Sequence, residues 1–201
     1  MKNEFLEMLD KYVRLEKDSS ESRPHVIGAT YQRDRLVAAL RMSFQECSGD
    51  AIEIGCMSGG TSVMLAEVCK EFDRKLVCVD PWVNLPGYEW IDFESKYPVF
   101  LETVADYMDF IEVIRLKSQD QEAIERIQKH KYAFAFVDGG HETDLVVTDL
   151  RTVIPCVDLL IASDDHRYDV GVQNAHDIIK GEYPEWTFHA SPYFREAWFI
   201  K

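Results

Sequence analysis

The sequence predicts an α/β fold, in which a doubly wound, mostly parallel sheet of seven strands ends in an antiparallel hairpin. Two observations support this class. Five short runs are apolar throughout, as expected of strands that are buried on both faces of a sheet. Helical stretches separate these runs, and strands that alternate with helices form parallel sheets with helices on both faces. The predicted strands span residues 51–54, 76–79, 111–116, 132–137 and 159–162.

The helices are predicted from the spacing of their apolar residues. Apolar residues recur at helical spacing in the first fifteen residues, and a polar break follows at residues 17–24. A second helix is predicted at about residues 31–47. Two strand-like runs near the C-terminus, residues 186–190 and 196–200, are predicted to form the hairpin at one edge of the sheet. The later helices are predicted at residues 61–72, 95–109, 121–129, 143–154 and 172–181.

Length and composition limit the class of protein. A chain of 201 residues suits one domain, with residues 1–30 as an N-terminal helical extension and residues 31–201 as the core. The net charge of −14 disfavours a nucleic-acid partner, because phosphates would be repelled. No stretch is apolar enough for a signal peptide or a membrane span, and the five cysteines are scattered, as is common in a reducing cytosol. We therefore expect a cytoplasmic protein with no nucleic-acid or membrane partner, and a homo-oligomer stays open.

Small or acidic residues follow each of the five predicted strands. In an open α/β sheet, ligands bind in the crevice beyond the carboxyl ends of the strands. We therefore expect the functional site at this edge of the sheet. The residues at the strand ends are Gly55, Asp80, Ser118, Asp138 and Asp164.

A glycine-containing turn joins the first strand to the helix that follows it. Its glycines have the spacing Gly55-x-x-x-Gly59, whereas a dinucleotide-binding fingerprint requires a glycine where Met57 stands. A phosphate-binding P-loop would need a lysine, which this turn lacks. The turn therefore favours a nucleoside ligand without phosphates. Asp80, at the end of the second strand, can accept hydrogen bonds from both ribose hydroxyls, or can merely cap a helix or lie in a solvated turn.

The glycine turn matches a known motif. Glu53-Ile54-Gly55 followed by Gly59 resembles the E/D-x-G-x-x-x-G motif of class I S-adenosylmethionine (SAM) dependent methyltransferases. The chain also has the element order of that family through to the terminal hairpin, so the resemblance covers about residues 32–201. It implies a Rossmann-like core that binds SAM, with Asp80 in the ribose-binding position.

The resemblance also implies where the rest of SAM lies. Ser118 and Gln119, after the third strand, would lie near the adenine. Trp82 would pack against the cofactor or, equally, in the core. The residues around the methionine part would be Glu53, Met57, Ser58, Thr61 and Ser62.

Three carboxylates are expected at the ends of the fourth and fifth strands. Asp138 ends the fourth strand, and Asp164 and Asp165 end the fifth. If these strands are neighbours, the carboxylates repel one another unless they are protonated or bind a cation. A site made of oxygen ligands favours Mg²⁺, Mn²⁺ or Ca²⁺. The alternative is that one or two of these aspartates cap helices or pair with Arg167.

The spacing Asp138-x-x-His141, with the later Asp164-Asp165 pair, resembles one branch of these methyltransferases. That branch comprises metal-dependent O-methyltransferases of small molecules, including macrolide sugars and similar natural products. The resemblance implies that the three aspartates bind a divalent cation, Mg²⁺ first, and that Asp138 also lies beside SAM. It further implies a sugar or natural-product glycoside as acceptor. His141 would be the general base that removes the hydroxyl proton, with His166 as the competing candidate.

Other functions stay open at this point. A metal-independent class I methyltransferase would act on another small-molecule nucleophile. A nicotinamide-dependent oxidoreductase is disfavoured by Met57, and a SAM-binding module without activity would need neither metal nor acceptor. The aromatic residues of the segment 82–98 either line an acceptor pocket or pack in the core.

Overall fold

A seven-stranded sheet forms the centre of the computed structural model, which describes residues 2–22, 31–85 and 89–201. The strands are β1 Asp50–Ile54, β2 Leu76–Val79, β3 Ile111–Ile114, β4 Tyr132–Val137, β5 Val157–Ser163, β6 Thr187–Ala190 and β7 Ala197–Ile200. Their order in the sheet is β3-β2-β1-β4-β5-β7-β6. The first five strands run parallel, and β7 runs antiparallel to both β5 and β6. The predicted fold class, including the C-terminal hairpin, is confirmed.

The helices alternate with the strands along the described residues. Two short 3₁₀ helices, Ala105–Phe110 and Ile154–Cys156, precede β3 and β5. None of the described helices is both long enough and apolar enough to cross a membrane. The α-helices are α1 Lys2–Ser22, α2 Gln32–Glu46, α3 Gly60–Glu71, α4 Lys96–Thr103, α5 Gln121–Ile127, α6 Thr143–Val153 and α7 Val170–Glu182.

Each face of the sheet packs against its own set of helices. On β4, Phe134 and Phe136 belong to the buried cluster that includes α1 to α4, whereas Ala135 and Val137 belong to the cluster that includes α5 to α7. Alternate residues of a strand point to opposite faces of a sheet. A strand covered on both sides must therefore be apolar at every position, which explains the continuous apolar runs in the sequence.

Two helices differ from the prediction. α1 continues to Ser22, through most of the polar break expected at residues 17–24, because Glu16 is anchored in the core while Lys17 and Asp18, directly after it, are exposed. The single helix predicted at residues 95–109 is divided, because Val104 adopts φ −99° and ψ 7° and its buried side chain ends α4. The boundary predicted between the N-terminal extension and the core falls between residues 30 and 31. Residues 23–30, directly before it, lie outside the described residues.

A buried ion-pair network attaches α1 to the core. The guanidinium of Arg35 lies 2.7 Å from the carboxylate of Glu16 and 2.6 Å from that of Glu196, just before β7. All three side chains are almost completely buried. The ring of Phe5 also packs edge-on against Trp198, with ring centroids 5.1 Å apart. α1 therefore contributes to the same core as the sheet.

Candidate active site

A cavity of about 340 Å³ opens at the carboxyl ends of the central strands. It lies where the sheet order reverses, because β1 leads to β2 on one side and β4 leads to β5 on the other. Open α/β sheets bind ligands at such a point, and the volume suits a small molecule. Six of the residues predicted to bind the cofactor line this cavity: Gly55, Met57, Asp80, Ser118, Gln119 and Asp138.

The glycine turn lies directly against the end of β4. Gly55 has φ of +86°, and a Cβ atom there would overlap the carbonyl group of Asp138. Gly59 has φ of +82°, and a Cβ atom there would lie 3.2 Å from side-chain atoms of Phe100 and Val104. Both glycines of the motif are therefore required by backbone conformation and by close packing.

Asp80 joins the end of β2 to the glycine turn. Its Oδ2 accepts hydrogen bonds from the backbone N–H groups of Cys56, at 3.0 Å, and Met57, at 2.9 Å. Its Oδ1 accepts one from the N–H of Trp82, at 2.7 Å. Burial raises the pKa of Asp80, and these three hydrogen bonds oppose the rise. Asp80 thus fixes the turn and also lines the cavity, while its contact with ribose stays a prediction.

The other residues predicted to bind SAM are not part of the lining formed by the described residues. Glu53 is buried and accepts a hydrogen bond from the hydroxyl of Ser62, and desolvation raises its pKa to about 8. The indole N–H of Trp82 donates to the carbonyl of Met57 at 2.7 Å, and its ring packs 4.7 Å from that of Phe100. These side chains support the turn from within the core. Direct contact with SAM stays a prediction for Glu53, Ser58, Gly59, Thr61, Ser62 and Trp82.

Ser118 and Gln119 line the part of the cavity that follows β3. The side-chain amide of Gln119 donates to Ser118 Oγ and to Asp149 Oδ1, both at 2.8 Å. Asp149 lies on α6, is fully buried, and has a pKa raised to about 7 by burial. Asp149 was not predicted from the sequence. An aspartate on the apolar helix face of Val146 and Leu150 is the signal that could have revealed it, because buried polar groups need partners.

The ends of β4 and β5 bring together part of the predicted metal site. Asp138, His141 and Asp165 each offer a donor atom, and these atoms lie within 4.8 Å of one another. His141 Nε2 lies 3.2 Å from Asp165, and His141 Nδ1 lies 3.8 Å from Asp169. Asp164 is next to this group but is buried, and it is oriented toward other partners.

Arg195 is a cation in this cluster that the sequence analysis missed. Its guanidinium lies 2.6 Å from the carboxylate of Asp165 and 3.0 Å from that of Asp164. Asp164 also accepts a hydrogen bond from the side-chain amide of Gln32, at 2.7 Å. Both carboxylates at the end of β5 are therefore paired with residues of the chain.

The strand register explains why Arg195 lies here. The last residue of β5 pairs with Ala197 of the antiparallel strand β7. Continuing that register places Asp165 opposite Arg195. Arg167, the partner considered from the sequence, instead lies 5.8 Å from the ring of Tyr168.

Negative charge is concentrated in this cluster. Burial raises the pKa of Asp138 well above its usual range, and the nearby carboxylates of Asp164 and Asp165 raise it further. Burial also raises the pKa of Asp164 to about 6, while Arg195 acts in the opposite direction. The cluster therefore favours the uptake of protons or of a further cation.

His141 lines the cavity, whereas His166 lies away from it. His141 belongs to the lining, whereas the ring of His166 stacks on that of His176, with the two Nδ1 atoms 2.8 Å apart. His176 is buried, its Nε2 lies 2.9 Å from Ser163 Oγ, and burial lowers its pKa to about 3. The geometry favours His141 over His166 as a general base.

The aromatic segment contributes to both the cavity and the core. Phe93 lines the cavity, whereas Tyr97 packs against the buried ring of Trp82. Trp90 is 74% exposed. Residues 86–88 of this segment lie outside the described residues.

Comparison with solved structures finds the same fold in several methyltransferases. CalS11, a TDP-rhamnose 3′-O-methyltransferase of calicheamicin biosynthesis, superposes with a TM-score of 0.62 at 12% identity, over 98% of this chain and 93% of that chain. An O-methyltransferase from Bacillus cereus in complex with S-adenosylhomocysteine (SAH) gives 0.60 at 13% identity, over 95% and 90%. TomG from Streptomyces achromogenes, an O-methyltransferase of tomaymycin synthesis in complex with SAM, gives 0.58 at 14% identity, over 94% and 87%. At these identities the likeness is one of fold.

Comparison with protein families identifies the family of this chain as well as its fold. No curated protein sequence is significantly similar to this chain. The family described as "Methyltransferase domain" matches residues 52–159, which is more than half of the chain and includes the glycine turn, Asp80 and Asp138. The chain therefore belongs to this methyltransferase family and is the class I SAM-dependent methyltransferase that its motif predicts.

Proposed function

We propose that this methyltransferase transfers the methyl group of SAM to a hydroxyl of a small molecule and requires a divalent cation. The observation that carries the proposal is the position of Asp138, His141 and Asp165. Their donor atoms lie within 4.8 Å of one another, and all three residues line the same cavity as the glycine turn. An acceptor held at these residues would lie next to SAM bound at that turn.

The acidic cluster fits a divalent cation in charge and in donor type. Asp138, Asp164 and Asp165 offer hard oxygen donors, which Mg²⁺ and Mn²⁺ prefer. A single guanidinium, that of Arg195, pairs with two of these three carboxyl groups. Because their pKa values are raised, Asp138 and Asp164 tend to keep their protons, and a bound cation can take the place of these protons. When bound, it would lower the pKa of the acceptor hydroxyl and fix its direction.

His141 is the residue to which we assign proton removal. An alcohol is a poor nucleophile toward a sulfonium methyl group until its hydroxyl proton is removed. A neutral imidazole can accept that proton. The carboxylates of Asp165 and Asp169 lie 3.2 and 3.8 Å from the two ring nitrogens, so they would stabilise the imidazolium that forms. The side chain of His141 is 39% exposed, which leaves it accessible to an acceptor.

A small hydroxylated natural product, such as a sugar or a glycoside, is the acceptor class that we propose. CalS11 is named for methylation of TDP-rhamnose, and TomG for tomaymycin synthesis. The net charge of −14 disfavours a nucleic acid as acceptor, because the phosphates would be repelled.

A metal-independent methyltransferase is the second candidate, and Arg195 is the observation that favours it. Its guanidinium already pairs with Asp164 and Asp165 and supplies positive charge at the position proposed for the metal. In that case the acceptor would be another small-molecule nucleophile, such as an amine.

Methyl transfer from isotopically labelled SAM distinguishes the two candidates. A panel of sugar nucleotides, glycosides and matched amines would be assayed with Mg²⁺ and with excess EDTA. The proposal expects transfer to a hydroxyl with Mg²⁺, loss of transfer in EDTA without loss of SAH binding, and recovery with Mn²⁺. Full transfer in EDTA, or transfer only to nitrogen, would favour the second candidate.

A further inference from the structure

Asp149 is a buried carboxylate to which the proposed reaction assigns no role. It lies in the middle of α6 and has no exposed surface. Its Oδ1 accepts a hydrogen bond from Gln119. Its Oδ2 has no partner with good hydrogen-bond geometry among the described residues, although the nearby hydroxyl of Ser118, like Gln119, lowers the pKa that burial raises. A buried carboxylate with incomplete hydrogen bonding destabilises a fold. Because this cost falls on a residue directly behind the cavity, we expect the Asp149 carboxylate to have a function there.

The carboxylate of Asp149 determines the orientation of the Gln119 side chain. An ionised carboxylate can only accept hydrogen bonds, so Gln119 must direct its Nε2 toward Asp149. The second hydrogen of Nε2 is donated to Ser118 Oγ. Both amide hydrogens are thus used within the protein, and the carboxamide oxygen Oε1 is the group that Gln119 can offer to a ligand in the cavity it lines.

Asp149 itself lies beneath the floor of the cavity. Gly139 belongs to the cavity lining, and a Cβ atom on Gly139 would lie 3.0 Å from Asp149 Oδ2. Asp149 therefore acts on a ligand through Gln119, which makes it a positioning residue and not a contact residue.

We propose that Asp149 orients Gln119 so that Oε1 accepts a hydrogen bond from the exocyclic amino group of adenine, which makes the site selective for adenosyl over inosyl ligands. This inference rests on the proposed function and on the placement of the adenine of SAM beside Ser118 and Gln119 that the family resemblance implies. A hypoxanthine ring carries a carbonyl oxygen in place of the amino group. Two acceptors would then face each other, and a site built for a donor rejects such an analogue.

The test compares the binding of SAH and S-inosylhomocysteine by calorimetry. Burial raises the pKa of Asp149 to about 7, so the titrations are made at pH 8, where this carboxyl is mainly ionised. Wild-type protein should bind SAH at least about tenfold more tightly than the inosyl analogue, as expected for one buried group left unpaired.

Asp149→Asn is the informative variant, because an amide of the same shape can also donate and no longer dictates one orientation of Gln119. It relieves the burial of a charge, so it should fold. The preference for SAH should fall by about fivefold or more, with a smaller loss of affinity for the inosyl analogue. Gln119→Ala should reduce the preference to the same extent. Asp144→Asn, an exposed position on the same helix, should keep the wild-type ratio.

Two results would overturn the inference. An unchanged ratio with unchanged affinities in Asp149→Asn would show that Asp149 does not orient Gln119. An unchanged ratio with an equal loss of affinity for both ligands would show a structural role only. If wild-type protein binds neither ligand, the placement of SAM in this cavity is wrong as well. If wild-type protein binds SAH and the inosyl analogue equally well, SAM is placed correctly and only the inference about selectivity fails.

Discussion

Glu53→Gln tests the account of the glycine turn through the pH dependence of stability. Glu53 is buried beneath the turn, and desolvation raises its pKa from the ordinary 4.5 to about 8. The folded protein therefore holds this proton more tightly than the unfolded chain does. The resulting stabilisation is fully present below pH 4.5 and is lost as the pH rises toward 8. Glutamine has the same shape and no proton to lose, so the variant should not share this loss.

The pKa shift sets the size of the expected effect. One pKa unit corresponds to about 1.4 kcal/mol. Relative to Glu53→Gln, the wild type should lose about 2–3 kcal/mol of unfolding free energy between pH 5 and 7, and about 4 kcal/mol in total by pH 8. Urea denaturation of both proteins at pH 5, 6, 7 and 8 measures this difference, in which the other titrating groups cancel. Glu67→Gln, at an exposed position of α3, is the matched control. Parallel curves for wild type and Glu53→Gln would show that burial does not raise the pKa of Glu53.

Three further predictions concern the turn, the base and the buried ion pair. Gly55→Ala should abolish SAH binding measured by calorimetry, because its Cβ would overlap the carbonyl group at the end of β4. Gly60→Ala should bind SAH normally, because the nearest atom to its Cβ is 3.8 Å away. His141→Ala should lower kcat by about 10²–10⁴-fold with SAH affinity retained, whereas a larger loss in His166→Ala would assign the base to the other histidine. Arg35→Met should reduce the unfolding free energy in urea by about 3–5 kcal/mol, because it leaves two glutamates buried without their partner; a loss below about 1 kcal/mol would contradict this role.

The strand ends were predictable because they depend on local sequence. A continuous apolar run indicates a strand, and a glycine or acidic residue directly after it must lie at the edge of the sheet. Gly55, Asp80 and Asp138 could therefore be assigned to one site before the strand order was known. The structure brings these three residues into one cavity.

The contacts that could not be predicted join distant parts of the chain. Arg195 meets Asp165 only through the register of an antiparallel pair, which the sequence does not specify. Asp149 meets Gln119 across the space between α6 and the loop after β3. Glu53 of β1 accepts a hydrogen bond from Ser62 of α3, which the pattern of neither element specifies, and its contact with SAM stays a prediction. Each of these features depends on packing between elements, whereas sequence patterns report periodicity within one element.

Binding of Mn²⁺, followed by electron paramagnetic resonance, measures whether the three aspartates form a site for a divalent cation. Wild-type protein should bind Mn²⁺ saturably, and Asp138→Asn, Asp164→Asn and Asp165→Asn should each weaken binding by about tenfold or more, because each removes a charged ligand. Asp177→Asn, at a carboxylate that is 72% exposed and pairs with a lysine, should bind like the wild type. We expect saturable binding that depends on the three aspartates. Absence of binding to the wild type, or equal binding by all four variants, would contradict it.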